Sequence, residues 1–299
     1  MDIVVDCIGL NKVYGSATAL YPLTLQLARG EVLGYLGPNG AGKTTTIRLL
    51  LGLIKPSSGS ANIFGLDCQK EKITIHKRIA YVPGEATLWP FLTGAETLHL
   101  LGKIHGSVDE QYKEELIKRF QFDPHKKVRT YSKGNRQKIT LIGAFMTRAE
   151  LLVLDEPTSG LDPLMEQVFR QTVHEAKSNG QTIFLSSHLL DEVEAVCDKV
   201  AILRAGKLVE TGLLSEMRHL SSVAVEATFD NELPDISNVP GVAAVRISGK
   251  QVSCHVTGDI APLLTILAAS HPKTLLSREP SLEELFLSLY GEKETEIHE

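Results

Sequence analysis

The chain has 299 residues, of which 43% are hydrophobic and 22% are charged, and its formal net charge is −5. This composition excludes a mainly disordered chain, and no apolar stretch reaches the roughly 20 residues of a membrane-spanning helix. The chain has no excess of basic residues, which a dedicated nucleic-acid-binding protein would have. The four cysteines are scattered without paired spacing, which predicts reduced thiols rather than a zinc site or a disulfide framework. No basic region precedes an apolar one at the N-terminus, so we expect no signal peptide.

Short β-rich runs alternate with helical stretches over the first two thirds of the chain, as in an α/β layered domain. The apolar run Val32–Leu36 is predicted to be a buried strand that leads through a glycine-rich loop into a helix at 42–51. Residues 94–148 have helical periodicity and few strand signals, which predicts a helical insertion. Other strands are predicted at 3–8, 23–27, 151–154, 182–185 and 200–203.

The composition changes about three quarters of the way along the chain, where alternating runs predict a strand, a hairpin, a helix and a strand. We therefore expect an α/β domain at 1–219, a small α+β accessory domain at 220–291 and an acidic tail at 292–299. Ser281 and Glu284 form a capping-box pattern, which predicts one last helix before the tail.

The loop after the strand at Val32–Leu36 has the spacing of a glycine, four residues, a glycine, a lysine and a threonine. Glycines let the backbone wrap so that successive N–H groups point at one oxyanion, and the helix N-terminus adds a partial positive charge. We expect Lys43 to reach β- and γ-phosphates, Thr44 to bind Mg²⁺ and Thr45 to support the α-phosphate. The loop residues predicted to cradle the phosphates are Gly37, Pro38, Asn39, Gly40, Ala41 and Gly42.

Two acidic residues, Asp155 and Glu156, follow the four apolar residues of the strand predicted at 151–154. We expect Asp155, at the end of a buried strand, to hold Mg²⁺ through water. Glu156 lies one residue further on and is predicted to polarise the water that attacks the γ-phosphate. Beside the phosphate loop, this pair predicts an enzyme that hydrolyses a nucleoside triphosphate.

These motifs resemble the nucleotide-binding domain of ATP-binding-cassette (ABC) proteins over roughly residues 2–215. The most specific part is the run from Asp155 to Asp162, Asp-Glu-Pro-Thr-Ser-Gly-Leu-Asp, which matches the family's second acidic motif and D-loop. The resemblance implies an α/β P-loop domain with a mixed sheet core, an antiparallel β subdomain and a helical subdomain. It implies ATP and Mg²⁺ as bound species and catalytic roles for Lys43, Glu156 and His188, with His188 contacting the γ-phosphate and holding Glu156 and the water in register.

The segment 131–137 resembles the family's signature motif, Leu-Ser-Gly-Gly-Gln, and keeps its serine as Ser132 and its second glycine as Gly134. The resemblance implies that these two residues bind the γ-phosphate of an ATP held by another subunit; a capped surface helix is the alternative. Asp162 of the D-loop is also expected to bind nucleotide. Tyr14 lies where the family places an aromatic ring against adenine, with a core position as the alternative.

One departure from the family pattern concerns the residue after Tyr-Val-Pro, where the family has a glutamine that binds Mg²⁺ and senses the membrane subunit. This chain has Gly84 and Glu85 there. Either Glu85, through a shifted backbone, or a water molecule is expected to complete the metal shell. The pair, with the Leu-Trp-Pro that follows, resembles a branch of bacterial drug-exporter ATPases.

The chain carries one phosphate loop and one signature motif, which in the family face different ATP molecules. We therefore expect a second ABC ATPase domain as partner, in a homodimer or a related heterodimer. The resemblance implies the ATP-hydrolysing subunit of an exporter, in the cytoplasm at the inner face of the membrane, with a separate transmembrane permease subunit and no nucleic-acid partner. The segment 84–92, including Trp89, is expected to receive a cytoplasmic helix of the permease, with core packing as the alternative for Trp89. An importer ATPase and a soluble ABC ATPase acting on ribosomes or DNA are the alternative functions.

Overall fold

The computed structural model describes residues 2–219, 223–231 and 233–278. The chain divides into two compact units, Met1–Gly212 and Leu213–Glu299. This boundary lies a few residues before the one expected at 219, so the helix Leu214–His219 falls in the second unit. The helix expected from Ser281 and the tail at 292–299 lie outside the described residues.

Strands and helices alternate along the first unit. The strands are β1 (Ile3–Tyr14), β2 (Ala17–Ala28), β3 (Val32–Leu36), β4 (Ser58–Ile63), β5 (Leu66–Asp67), β6 (Ile79–Val82), β7 (Leu151–Asp155), β8 (Thr182–Ser187), β9 (Lys199–Arg204) and β10 (Lys207–Leu213). The helices are α1 (Lys43–Leu50), α2 (Lys72–His76), α3 (Gly94–His105), α4 (Glu110–Arg119), α5 (Lys133–Phe145), α6 (Pro163–Ser178) and α7 (Leu190–Val196).

A six-stranded sheet with the order β10-β9-β3-β8-β7-β6 is the centre of the first unit. Strand β3 pairs in parallel with β8 and β9, and β7 pairs in parallel with β8 and β6. All residues of β3, β7 and β8 are buried, as is typical of parallel strands that are covered on both faces. The carboxyl ends of β3, β8 and β7 therefore lie side by side at one edge of the sheet.

An antiparallel sheet with the order β2-β1-β4-β5 packs on the parallel sheet through a shared apolar core. Its first two strands are longer than the runs expected at 3–8 and 23–27. Pairing of β1 with β2 continues to Tyr14 and Ala17 through several register shifts, which interrupt the alternation of apolar and polar residues. Residues of both sheets meet in the core, among them Val5, Leu27, Leu33, Tyr35 and Phe184.

The segment 94–148, where a helical insertion is expected, holds α3, α4, a short 3₁₀ turn and α5. Helix α3 begins at a capping box in which Thr93 accepts from the Glu96 backbone and Glu96 accepts from the Thr93 backbone. Helix α5 begins at Ser132, whose side chain accepts from the backbone of Asn135 at 3.3 Å. The start of α5 thus coincides with the signature-like motif.

The second unit contains an antiparallel sheet with its own apolar core. The hairpin and the helix that follows agree with the α+β character expected from the sequence. Its elements are α8 (Leu214–His219), β11 (Val223–Thr228), β12 (Val242–Ser248), β13 (Gln251–Val256), α9 (Ala261–Ala269) and β14 (Thr274–Arg278), with the strand order β12-β13-β11-β14. None of the helices in the described ranges of the chain is both long enough and apolar enough to cross a bilayer.

A close contact between β3 and α7 fixes the helix next to the phosphate loop. Gly34 lies in the middle of β3, and a Cβ there would lie 2.3 Å from Val193 Cγ1 and 3.0 Å from Cys197 Sγ. Val193 lies on α7, and Cys197 is the residue that caps the end of this helix. Only glycine at position 34 therefore allows α7 to pack this close to β3.

We predict that Gly34→Ala lowers the free energy of unfolding by about 1–3 kcal/mol, because the added methyl group overpacks this contact. Urea denaturation measures the change. Val193→Ala is the matched partner variant, since it removes both of the methyl groups that the new Cβ would meet. The double variant should recover part of the loss; full additivity of the two single effects would contradict the contact.

Candidate active site

The glycine-rich loop wraps around the N-terminus of α1 between β2 and β9. Gly42 has φ 107°, a left-handed conformation, and a Cβ there would lie 2.7 Å from the carbonyl oxygen of Ala19. The backbone N–H of Gly206 donates to the Ala41 carbonyl at 2.9 Å. Neighbouring strands thus support the loop from outside, next to the N-terminus of α1, whose partial positive charge suits an anion.

Lys43 is buried, with 5% of its surface exposed, and its ammonium group lies inside the loop. Nζ donates to the Gly37 carbonyl at 2.5 Å and to the Pro38 carbonyl at 3.3 Å. It also forms an ion pair with Glu156 Oε1 at 3.0 Å. The two residues predicted to be catalytic from separate motifs are therefore in direct contact.

Thr44 and Asp155, the two predicted metal ligands, are hydrogen-bonded to each other. The Thr44 hydroxyl donates to Asp155 Oδ2 at 3.0 Å. The other oxygen, Oδ1, accepts from Ser186 Oγ at 2.5 Å, a contact that the sequence motifs did not predict. A hydroxyl and a carboxylate on adjacent elements form the all-oxygen donor set that Mg²⁺ prefers, the rest of its shell coming from phosphate and water. These two residues therefore fit a magnesium ion.

Glu156 stands between Lys43 and His188. Its Oε2 contacts His188 Nδ1, and its backbone N–H donates to the Ser186 carbonyl at 3.0 Å. Its φ is 48°, which is unusual for a residue other than glycine and costs about 1–2 kcal/mol. The carboxylate reaches His188, which follows the end of β8.

Two adjoining clefts contain most of the predicted site residues. One, of about 510 Å³, is lined by Thr44, Asp155, Glu156 and His188, and the other, of about 230 Å³, is lined by the loop 38–45 and Glu156. The structure thus brings Lys43, both metal-ligand candidates and both catalytic candidates to one place. Among the predicted site residues, all of which the structure describes, those that line neither cleft are Tyr14, Gly37, Ser132, Gly134 and Asp162.

The signature-like segment contacts the D-loop of its own chain. A Cβ on Gly134 would lie 2.4 Å from the Gly160 carbonyl oxygen, so a glycine is required for this approach. Lys133 Nζ donates to Ser159 Oγ at 2.8 Å. In addition, Gln137, which is buried, donates to the Pro157 carbonyl at 3.0 Å. Ser132 itself is exposed at the start of α5.

Tyr14 and Asp162 lie on the surface of the first unit. Tyr14 is 48% exposed, so the core position considered for it is wrong; Lys12 Nζ lies 4.9 Å from the centre of its ring. Asp162 caps α6, and its Oδ1 accepts from the Met165 backbone at 3.0 Å. These positions leave the faces of both residues available to a ligand or a second domain.

Gly84 and Glu85 both line the larger cleft, beside Asp155 and Glu156. A Cβ on Gly84 would lie 3.2 Å from the Asp155 carbonyl oxygen, so the segment passes close to the end of β7. Glu85 is exposed at the rim.

An apolar groove of about 590 Å³ lies between the segment that follows β6 and the helical insertion. Trp89 lines it and is 44% exposed, so the alternative of core packing for Trp89 is wrong. Helices α3 and α5 form the opposite wall through Leu101, Ile104 and Ala144. Tyr81 of β6 and two residues of the segment, Pro83 and Thr87, line both the groove and the larger cleft.

Comparisons with known proteins show which proteins this chain resembles. The model of the ABC transporter family matches residues 20–159. The linearmycin resistance ATP-binding protein LnrL of Bacillus subtilis (strain 168) is 31% identical over 94% of this chain and 96% of its own length. The Nod factor export ATP-binding protein I of Cupriavidus pinatubonensis (strain JMP 134 / LMG 1197) is 32% identical over 94% of this chain and 89% of its own. A solved structure of the ATP-binding subunit of an ABC transporter has a TM-score of 0.67 and 31% identity, covering 72% of this chain and 92% of that one.

The α/β P-loop fold with its mixed sheet core and antiparallel and helical subdomains is thus confirmed. The similarity to the two bacterial relatives extends beyond the first unit, since it covers nearly the whole chain. The chain therefore belongs to the ABC transporter family, as an ATP-binding subunit with ATPase activity from the drug-exporter branch.

Proposed function

We propose that this chain powers export through a separate transmembrane permease subunit. The observation that carries the proposal is the segment 81–87, which lines both the phosphate cleft and the apolar groove. Because this segment contacts nucleotide on one side and a partner on the other, it couples nucleotide binding and hydrolysis mechanically to movement of the partner. A short amphipathic helix of the permease suits the groove, because its walls are apolar and Trp89 is exposed in it.

Hydrolysis requires a second ABC ATPase domain, in a homodimer or a related heterodimer. Ser132 and Gly134 line neither of the clefts that hold Lys43 and Glu156, yet a hydroxyl at the N-terminus of α5 is an anion site. We assign both residues, with Asp162, to the γ-phosphate side of an ATP that the partner domain holds. The contacts of Lys133 and Gly134 with the D-loop support this, since they tie the two elements into one surface.

Within one domain, the loop residues Gly37 to Gly42 and Lys43 hold the phosphates, Thr45 supports the α-phosphate and Tyr14 stacks on adenine. Glu156 orients and polarises the attacking water, and His188 holds Glu156 and the γ-phosphate in register. The contact between Glu156 and His188 supports this assignment. Mg²⁺, held by Thr44 and Asp155, would neutralise negative charge on the phosphates.

The two domains close when two ATP molecules bridge them and open when hydrolysis removes the γ-phosphates, which gives a mechanical stroke. Export, rather than import, is supported by the relative whose name includes export and by its similarity over 94% of this chain, which takes in much of the second unit. A subunit of this kind acts in the cytoplasm at the inner face of the membrane. Soluble action on ribosomes or DNA has no supporting observation, and we propose no nucleic-acid partner.

We predict that Glu156→Gln lowers the rate of ATP hydrolysis at least about a hundredfold while ATP binding remains, because the amide keeps the shape of the side chain but cannot act as a base. Turnover and nucleotide binding are measured on the full chain. In saturating Mg·ATP the variant should accumulate as a dimer in size-exclusion chromatography.

Lys43→Ala is the matched control for that variant, since it removes the phosphate-binding cation from the same cleft. It should lose ATP binding and stay monomeric. A monomeric Glu156→Gln variant with bound ATP would contradict the shared site.

We predict that Trp89→Asp lowers the fraction of the chain that sediments with native membranes at least about fivefold, because a charge in the apolar groove prevents docking. ATP binding should be unchanged. Ile8→Asp is the control, since Ile8 is 56% exposed and does not line the groove. Equal sedimentation of both variants and the wild type would contradict the assignment of the groove.

A further inference from the structure

Glu192, on α7, is a buried carboxyl group that lines neither cleft. The residue is 2% exposed, and its Oε2 accepts from Ser187 Oγ at 2.5 Å. Its Oε1 is buried without a hydrogen-bond partner in the part of the chain that the structure describes. A carboxyl group that is buried and half satisfied destabilises a fold, so packing alone does not account for it.

Ser187 connects this carboxyl group to the residues on both sides of His188. Its hydroxyl oxygen accepts from the Leu189 backbone at 2.9 Å, and its carbonyl oxygen accepts from the Gly37 backbone at 3.4 Å. The side chain of Ser187 therefore contacts Glu192 and Leu189, the residue after His188, while the backbone of Ser187 contacts the phosphate loop. The position of His188 depends on this short segment.

The carboxyl group has a rigid support. The residue next to it, Val193, packs on Gly34 at a distance that excludes any other side chain at position 34. Strand β3, which contains Gly34, pairs with β8, and Leu36 is directly opposite Ser187. Glu192 and Ser187 are thus held by two neighbouring strands of the same sheet.

We infer that Glu192 is a positioning residue for ATP hydrolysis: through the Ser187 hydroxyl it holds the backbone at 187–189 and thereby keeps His188 against Glu156. The inference rests on the proposed roles of His188 and Glu156. A hydrogen bond to an ionised carboxylate is about twice as strong as a neutral one, so the ionised form holds Ser187 best.

Burial raises the pKa of Glu192 to about 7. Because the folded protein disfavours a negative charge on Glu192, ionisation of this group at pH 8 lowers the free energy of unfolding. Replacing Glu192 by a neutral side chain is therefore not expected to destabilise the fold at that pH. The titratable and polar groups that face the carboxyl group are the hydroxyls of Ser187 and Thr158, which favour the ionised form, the carboxylates of Glu156 and Glu166, which oppose it, and the thiol of Cys197.

The test compares the full-length wild type, Glu192→Gln, Ser187→Ala and the double variant at pH 8. We expect Glu192→Gln to lower kcat for ATP about fivefold or more, with the KM for ATP and the urea midpoint at wild-type values or better. The double variant should be no slower than Ser187→Ala. Asp191→Asn is the control, since it removes an exposed charge from the same helix and should keep the wild-type kcat.

Wild-type kcat for Glu192→Gln, or an effect that is additive with Ser187→Ala, overturns the inference. A loss of kcat that is accompanied by a lower urea midpoint also overturns the inference, because it indicates a merely structural role for Glu192. Should Glu192→Gln fail to fold, Ser187→Ala decides, and wild-type kcat in that variant overturns the inference. Wild-type kcat for His188→Ala is a separate result, which overturns the proposed role of His188 itself.

Discussion

The parallel pairing of β3, β8 and β7 is the constraint on which the candidate site depends. It places three strand ends in a row, and each strand end leads into a different group of candidate site residues. The phosphate loop follows β3, His188 follows β8, and Asp155 and Glu156 end β7. Thr44 and Asp155 are 111 positions apart in sequence, and Glu156 and His188 are 32 apart, so only the sheet brings these pairs within hydrogen-bond distance.

Contacts among the charged groups then define how the cleft is arranged. Glu156 touches Lys43 on one side and His188 on the other, and Asp155 is held by Thr44 and Ser186. Three of these partners, Lys43, His188 and Thr44, are also proposed to bind phosphate or metal. We therefore expect nucleotide binding to exchange existing contacts for new ones, with the strained backbone of Glu156 keeping its carboxylate between the loop and His188.

The phosphate loop, β3 and the acidic pair could be predicted from the sequence because each is specified by a short run of neighbouring residues. A continuous apolar run predicts a buried strand, and Val32–Leu36 has the expected bounds. The extension of β1 to Tyr14 was not predictable, since register shifts break the alternation on which strand prediction depends. Ser186 and Glu192 were also missed: Ser186 contacts Asp155 across the sheet, Glu192 contacts Ser187 from α7, and no motif spacing indicates either contact.

We propose that this ATPase works on a separate membrane-spanning partner, and the most direct test is the identity of what it binds in its own cell. Tagged Glu156→Gln chain is isolated with Mg·ATP from detergent-solubilised native cells, and the bound proteins are identified by mass spectrometry. We expect a multi-span membrane protein in stoichiometric amount. Ribosomal proteins or nucleic acid without a membrane protein would contradict it.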